Sequence, residues 1–131
     1  MTRDEIKKYW VASAEQDFQT MIHLYESKDY HWSLFLGHLV LEKLLKAVYV
    51  ALVDTGVPRT HDLLRLSEKA GLESNDKQKD QLDTITSFNI AARYPDYKHS
   101  FYNKCTPTFT ETNLKIIKEL KTWFLEVLEK K

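Results

Sequence analysis

The chain has 131 residues, 43% hydrophobic and 29% charged, a soluble globular balance that excludes disorder as its main state. Lys+Arg and Asp+Glu stand at 19 each, which excludes a globally basic nucleic-acid binder but leaves room for a local basic patch. Three Gly, three Pro and a single Cys give too little punctuation for a many-turned β-sandwich and no pairing for an intramolecular disulfide.

Along the chain, Ile6, Trp10, Ala14, Phe18, Met21 and Tyr25 recur at spacings of three and four, which predicts a helix over about Arg3 to Ser27. Thr2 suits its N-cap, and Asp4 and Glu5 suit its positive end. Asp17 interrupts the apolar stripe, and a carboxylate placed there needs a partner. A second helix, about Asp29 to Val53, carries Trp32, Leu34, Phe35, Leu39, Leu41, Leu44, Leu45, Val48 and Leu52 round most of its circumference. Such a helix belongs at the centre of a bundle. Gly37 costs helix propensity and marks a close approach by a neighbouring helix or subunit. Gly56 and Pro58 end this helix.

Thr60 is the expected cap of a short third helix from His61 to about Ala70, closed by Gly71. A fourth helix is expected from about Asn75 to Ala92, with Leu82, Ile85, Phe88 and Ala92 as its apolar stripe. Arg93 to Thr108, which holds Pro95 and Pro107, reads as irregular. Thr108-Phe109-Thr110-Glu111 reads as a capping box for a last helix carrying Leu114, Ile117, Leu120, Phe124 and Val127. The whole is expected to be one all-α domain over 1–131, an up-and-down four-helix bundle with a short additional helix. The charged N-terminus and the breaks at Glu42, Lys43 and Lys46 argue against a signal peptide or membrane span, so the expected location is cytoplasmic.

No phosphate-binding glycine loop, His-Glu-x-x-His pair or nucleophile elbow occurs, and no cofactor is expected. Three polar clusters remain. His38, Glu42, Lys43 and Lys46 share the second helix, with His38 and Glu42 four apart on one face. Two such residues suit a metal, but the Glu-x-x-His pairs of carboxylate-bridged bundles are missing, so no metal is expected. The simpler alternative is a Glu42–Lys46 pair with His38 making one buried hydrogen bond. Thr60-His61-Asp62 opens a helix, where backbone N–H groups and His61 suit a phosphate, or where Asp62 simply favours the dipole. From Arg93 to Tyr102, Arg93 and Lys98, with Lys104 beyond, are interleaved with Tyr94, Tyr97, Phe101 and Tyr102 against Asp96 alone. Cations suit phosphates and flat rings suit unstacked bases. The alternative is a turn that tucks its aromatics against the bundle.

Gly37-His38-Leu39-Val40-Leu41-Glu42-Lys43-Leu44-Leu45-Lys46-Ala47 resembles the core signature of HEPN domains, the nucleotide-binding domains of higher eukaryotes and prokaryotes. Trp10 to Asp17, Thr60-His61-Asp62-Leu63 and Asn89 to Asp96 resemble further motifs of that family in the expected order. The resemblance implies a four-helix bundle, often dimeric, linked to nucleotides and RNA. It also implies two functional branches. One pairs with a minimal nucleotidyltransferase in toxin–antitoxin-like systems. The other is a metal-independent ribonuclease with an Arg-x(4–6)-His motif, a spacing that Arg93 and His99 meet.

The first reading is therefore a homodimeric nucleotide- or RNA-binding bundle working with a nucleotidyltransferase. Its phosphate contacts are Lys43, Lys46, Arg93 and His61, and its base platform is Tyr94 or Tyr97. Asp17, His38 and Glu42 form an internal network that orients Arg93, with Arg93 the preferred partner of at least one of the two carboxylates. The second reading is an endoribonuclease in which His99 is the general base and Arg93 stabilises the phosphorane. The third is a protein-interaction module without a ligand.

Overall fold

In the computed structural model, which describes residues 1–130, helix formation follows the local chemistry at most ends. Thr2 Oγ1 accepts from the Glu5 N–H at 3.1 Å while Glu5 Oε1 accepts from the Thr2 N–H at 2.9 Å, a capping box that starts α1 (Arg3–Glu26). Lys28, in the left-handed region at φ 67°, turns the chain back into α2 (Tyr30–Leu52). Helices α3 (Leu63–Lys69), α4 (Asp76–Arg93), α5 (Pro95–Lys104) and α6 (Pro107–Glu129) follow. No strand occurs among the described residues, and no helix there is long and apolar enough to cross a membrane.

Helix α2 is the axis of the bundle. It packs against every other helix, and Leu34, Val40, Leu41, Leu44, Leu45, Ala47, Val48 and Val50 on it are at most 1% exposed. A methyl group at Gly37 would collide with the Ile117 side chain of α6 and stand 3.3 Å from Met21 Sδ of α1. The close approach marked by Gly37 therefore comes from helices of the same chain. The folded chain exposes 7518 Å², against about 7,200 Å² for a compact domain of this mass.

Three expectations are corrected. The stretch after Arg93 is not irregular: Pro95 sits in the first turn of α5, where its missing N–H costs nothing and its fixed φ suits a helix. Thr60 does not cap the third helix: Asp62 does, accepting from the Arg65 N–H at 3.1 Å, while Thr60 Oγ1 accepts from the Asp62 N–H. The last helix begins at Pro107 with Thr106 as its cap, so the box expected from Thr108 to Glu111 lies inside the helix.

Candidate functional site

A cluster of buried polar groups interrupts the apolar core where α2, the α2–α3 connection and α4 meet. His38 is fully buried, Asn89 is 3% exposed and Glu42 is 5% exposed. His38 Nε2 lies 2.8 Å from the backbone carbonyl of His61. A carbonyl only accepts, so Nε2 carries the proton. Burial pushes the His38 pKa below its usual value, partly opposed by that carbonyl bond, and keeps the ring neutral. Nδ1 is then an acceptor, and Asn89 Nδ2 donates to it at 3.3 Å. With its amide nitrogen turned to His38, Asn89 presents Oδ1 to Arg93. Arg93 donates to that oxygen through Nη2 and to the Asn89 carbonyl through Nε, the latter at 3.0 Å. Each donor–acceptor role in this chain follows from its neighbour, from the His61 carbonyl out to the guanidinium.

Arg93 emerges exposed at the end of α4. Its Cζ lies 5.7 Å from the Phe35 ring centroid and 5.5 Å from that of Tyr94. It forms no ion pair among the described residues. The result is a pre-oriented cation whose charge is not cancelled by an ion pair among the described residues, an arrangement suited to a phosphate.

Beside it, Glu42 Oε1 accepts from His61 Nδ1 at 2.7 Å and Oε2 accepts from Lys46 Nζ at 3.0 Å. Burial pushes the Glu42 carboxyl up, but the bonds from His61 and Lys46 together hold it below the usual carboxylate range. The His61 side chain stays 63% exposed, and Lys46 also lies 5.1 Å from the Trp10 ring centroid. His38 Nε2 is 3.9 Å from Glu42 Oε1, too far for a hydrogen bond.

His38, Glu42, Lys46, His61, Arg93 and Tyr94 are therefore neighbours. Asp17 and Lys43 are a separate pair facing α1: Lys43 Nζ lies 2.7 Å from Asp17 Oδ2, a close ion pair off the hydrogen-bond line, and donates to Ser13 Oγ at 2.8 Å. Arg93 is thus not the partner of Asp17 or Glu42. Lys43 takes the first, and His61 with Lys46 takes the second, because Arg93 is spent on the Asn89 side chain and carbonyl. Tyr97 and His99 stand exposed on α5, with His99 Nε2 3.2 Å from Asn103 Nδ2. Pro95 starts that helix, so Arg93 and His99 lie on different helices. Cys105 is buried, which pushes its thiol up to about 11 and leaves it an inert group.

Sequence reasoning missed the link that joins His38 to Arg93. Asn89 was legible as the first residue of the Asn89 to Asp96 motif and as a polar residue on the apolar stripe of α4, seven after Leu82 and four after Ile85, but not as the partner of His38. The HEPN domain family model matches residues 7–128. No curated protein and no solved structure matches the chain significantly.

Proposed function

This chain belongs to the HEPN family and is a nucleotide- or RNA-related helical domain, and from that premise we propose that it is a nucleotide- or RNA-binding bundle whose principal phosphate contact is Arg93. The observation that carries the reading is the buried hydrogen-bond chain ending in an exposed, unpaired guanidinium. An exposed arginine ordinarily keeps its rotamer freedom. Here two bonds to Asn89 remove much of it, and pre-organisation of that kind serves a ligand. His61, held on Glu42 with its side chain exposed, is a second phosphate contact. Lys43 and Lys46 are engaged with Asp17 and Glu42, which takes them out of direct contact with a ligand. Tyr94 or Tyr97, both more than half exposed, supplies a face for a base.

In this reading the protein is a cytoplasmic component of a two-component, toxin–antitoxin-like system with a minimal nucleotidyltransferase, and acts as a homodimer. The half-buried row Trp32, Phe35, Leu36 and Leu39 along α2 supports a contact with a second copy. The exposure of both Arg93 and His99 favours a second reading, a metal-independent endoribonuclease completed across that dimer.

The test is titration of a short oligoribonucleotide, paired with a cleavage assay in EDTA. Arg93→Ala weakens binding by about 1–3 kcal/mol, and binding falls with added salt because phosphates release counterions. Absence of cleavage together with Arg93-dependent binding supports the first reading. Cleavage that disappears in His99→Ala, by a factor of about 10²–10⁴ for loss of a general base, gives the second. Absence of both leaves a protein-interaction module.

A further inference from the structure

Pro95, Lys98, His99 and Tyr102 fall at i, i+3, i+4 and i+7 of α5 and therefore share one face. That face looks across at His31, in the first turn of α2, and the two elements line a shallow, open cleft of about 390 Å³. This volume is in the range of small-ligand sites. His31 lies on the floor. It is 8% exposed, its side chain makes no hydrogen bond among the described residues, and its Nδ1 is buried without a partner there. The ring is held by Tyr102, edge-on at 5.2 Å, and by Trp32 at 5.1 Å. Lys98 Nζ stands 4.9 Å from the centroid of that same Trp32. One turn further along α2, Arg93 stands over Phe35. Two cations are thus set over successive aromatic rings of α2, with the aromatic-walled cleft at the Lys98 end. Neither Lys98 nor Arg93 forms an ion pair among the described residues.

We propose that this cleft receives the base of a nucleotide unit, stacked on Tyr102 and hydrogen-bonded by the His31 imidazole, while Lys98 and Arg93 take the phosphates that follow. The proposal rests on the nucleotide-binding reading and extends it to a base pocket built from His31 and Tyr102. The two nitrogens of an imidazole point in divergent directions, so a single ring nitrogen, Nε2, bonds the base edge as donor or acceptor. The exposed face of Tyr102, 61% accessible, provides the stacking surface. The same chemistry comes from a free mononucleotide or from one residue of a single-stranded RNA.

The experiment titrates wild type, His31→Phe, Tyr102→Ala and Arg93→Ala with adenosine monophosphate, with a short oligoadenylate and with ribose 5-phosphate, which has no base. His31→Phe keeps a ring against Trp32 and Tyr102, and Tyr102 is exposed, so both variants retain the fold, which circular dichroism verifies. The expected result is a loss of about tenfold or more in affinity for the base-bearing ligands in both variants, the worth of one stacked or hydrogen-bonded base. Ribose 5-phosphate binding stays unchanged in both, and Arg93→Ala weakens all three ligands. Tight oligoadenylate binding with weak mononucleotide binding identifies RNA as the source, and the reverse identifies the free nucleotide. If Arg93→Ala weakens binding while His31→Phe and Tyr102→Ala do not, the base pocket is wrong and the phosphate reading stands. If wild type binds none of the ligands, both are wrong.

Discussion

Helix α2 carries two polar clusters that solve the burial of polar groups in opposite ways. Toward α1, Lys43 meets Asp17 and Ser13, opposite charges close on each other, and nothing is left over. Toward α4, a neutral histidine and a neutral amide are bonded in series, and the only full charge at the end, Arg93, is pushed outward unpaired. A self-cancelling pair at partial exposure contributes little stability and no field. A neutral relay that fixes a surface cation keeps the positive charge available to an anion. Charged residues next to a core are therefore not equivalent signs of a site: what distinguishes them is whether the local geometry consumes the charge or presents it.

The comparison is broken most severely by deleting the relay. His38→Ala strips a donor from the His61 carbonyl and an acceptor from Asn89 in a fully buried position. It should cost about 2–4 kcal/mol of unfolding free energy, from a cavity plus two unsatisfied groups. Urea unfolding measures it, and a loss under about 1 kcal/mol would mean the relay is not stabilising.

Acidification acts on the same residue more mildly. His38 and His31 are both held below the ordinary histidine value of 6.5, each chiefly by burial. The unfolded chain then binds protons that the folded chain refuses, so stability is full above pH 6.5 and falls as pH drops below it. Glu42, held below 4.5, adds a second loss of the same sign in more acidic solution. Thermal melting between pH 8 and 5 should show the first decline, and His38→Gln should flatten it. An unchanged slope in that variant would place the titration elsewhere.

The smallest effect belongs to the self-cancelling pair. Lys43→Met should change stability by no more than about 1 kcal/mol and leave nucleotide affinity within about twofold. A large loss of affinity would make Lys43 a ligand contact and erase the contrast.

The contrast between elements is also a contrast in legibility. The long helices α1, α2, α4 and α6 carry apolar periodicity over many turns, and this signal survives without context. Helix α5 buries only Phe101, so its pattern has no stripe, and Pro95 reads as a breaker although the first turn of a helix is where proline is welcome. A proline in the first turn likewise shifts the start of α6. Within the site, His38, Glu42, His61 and Arg93 stand out by type, but their connections do not. The link through Asn89 spans 51 positions from His38 and depends on how α2 and α4 are rotated against each other. His31 carries no signal of a site in the sequence, and its buried, unpartnered nitrogen follows from packing against Trp32 and Tyr102.

The central claim is that Asn89 acts through Arg93 to present a phosphate-binding cation, and a double-mutant cycle on oligoribonucleotide affinity tests it most directly. Asn89→Leu, Arg93→Ala and the double variant are titrated at a temperature where each is fully folded. The account predicts that Asn89→Leu weakens binding severalfold in the wild-type background and has no further effect once Arg93 is gone. Equal losses from Asn89→Leu in both backgrounds, or none in either, would contradict it.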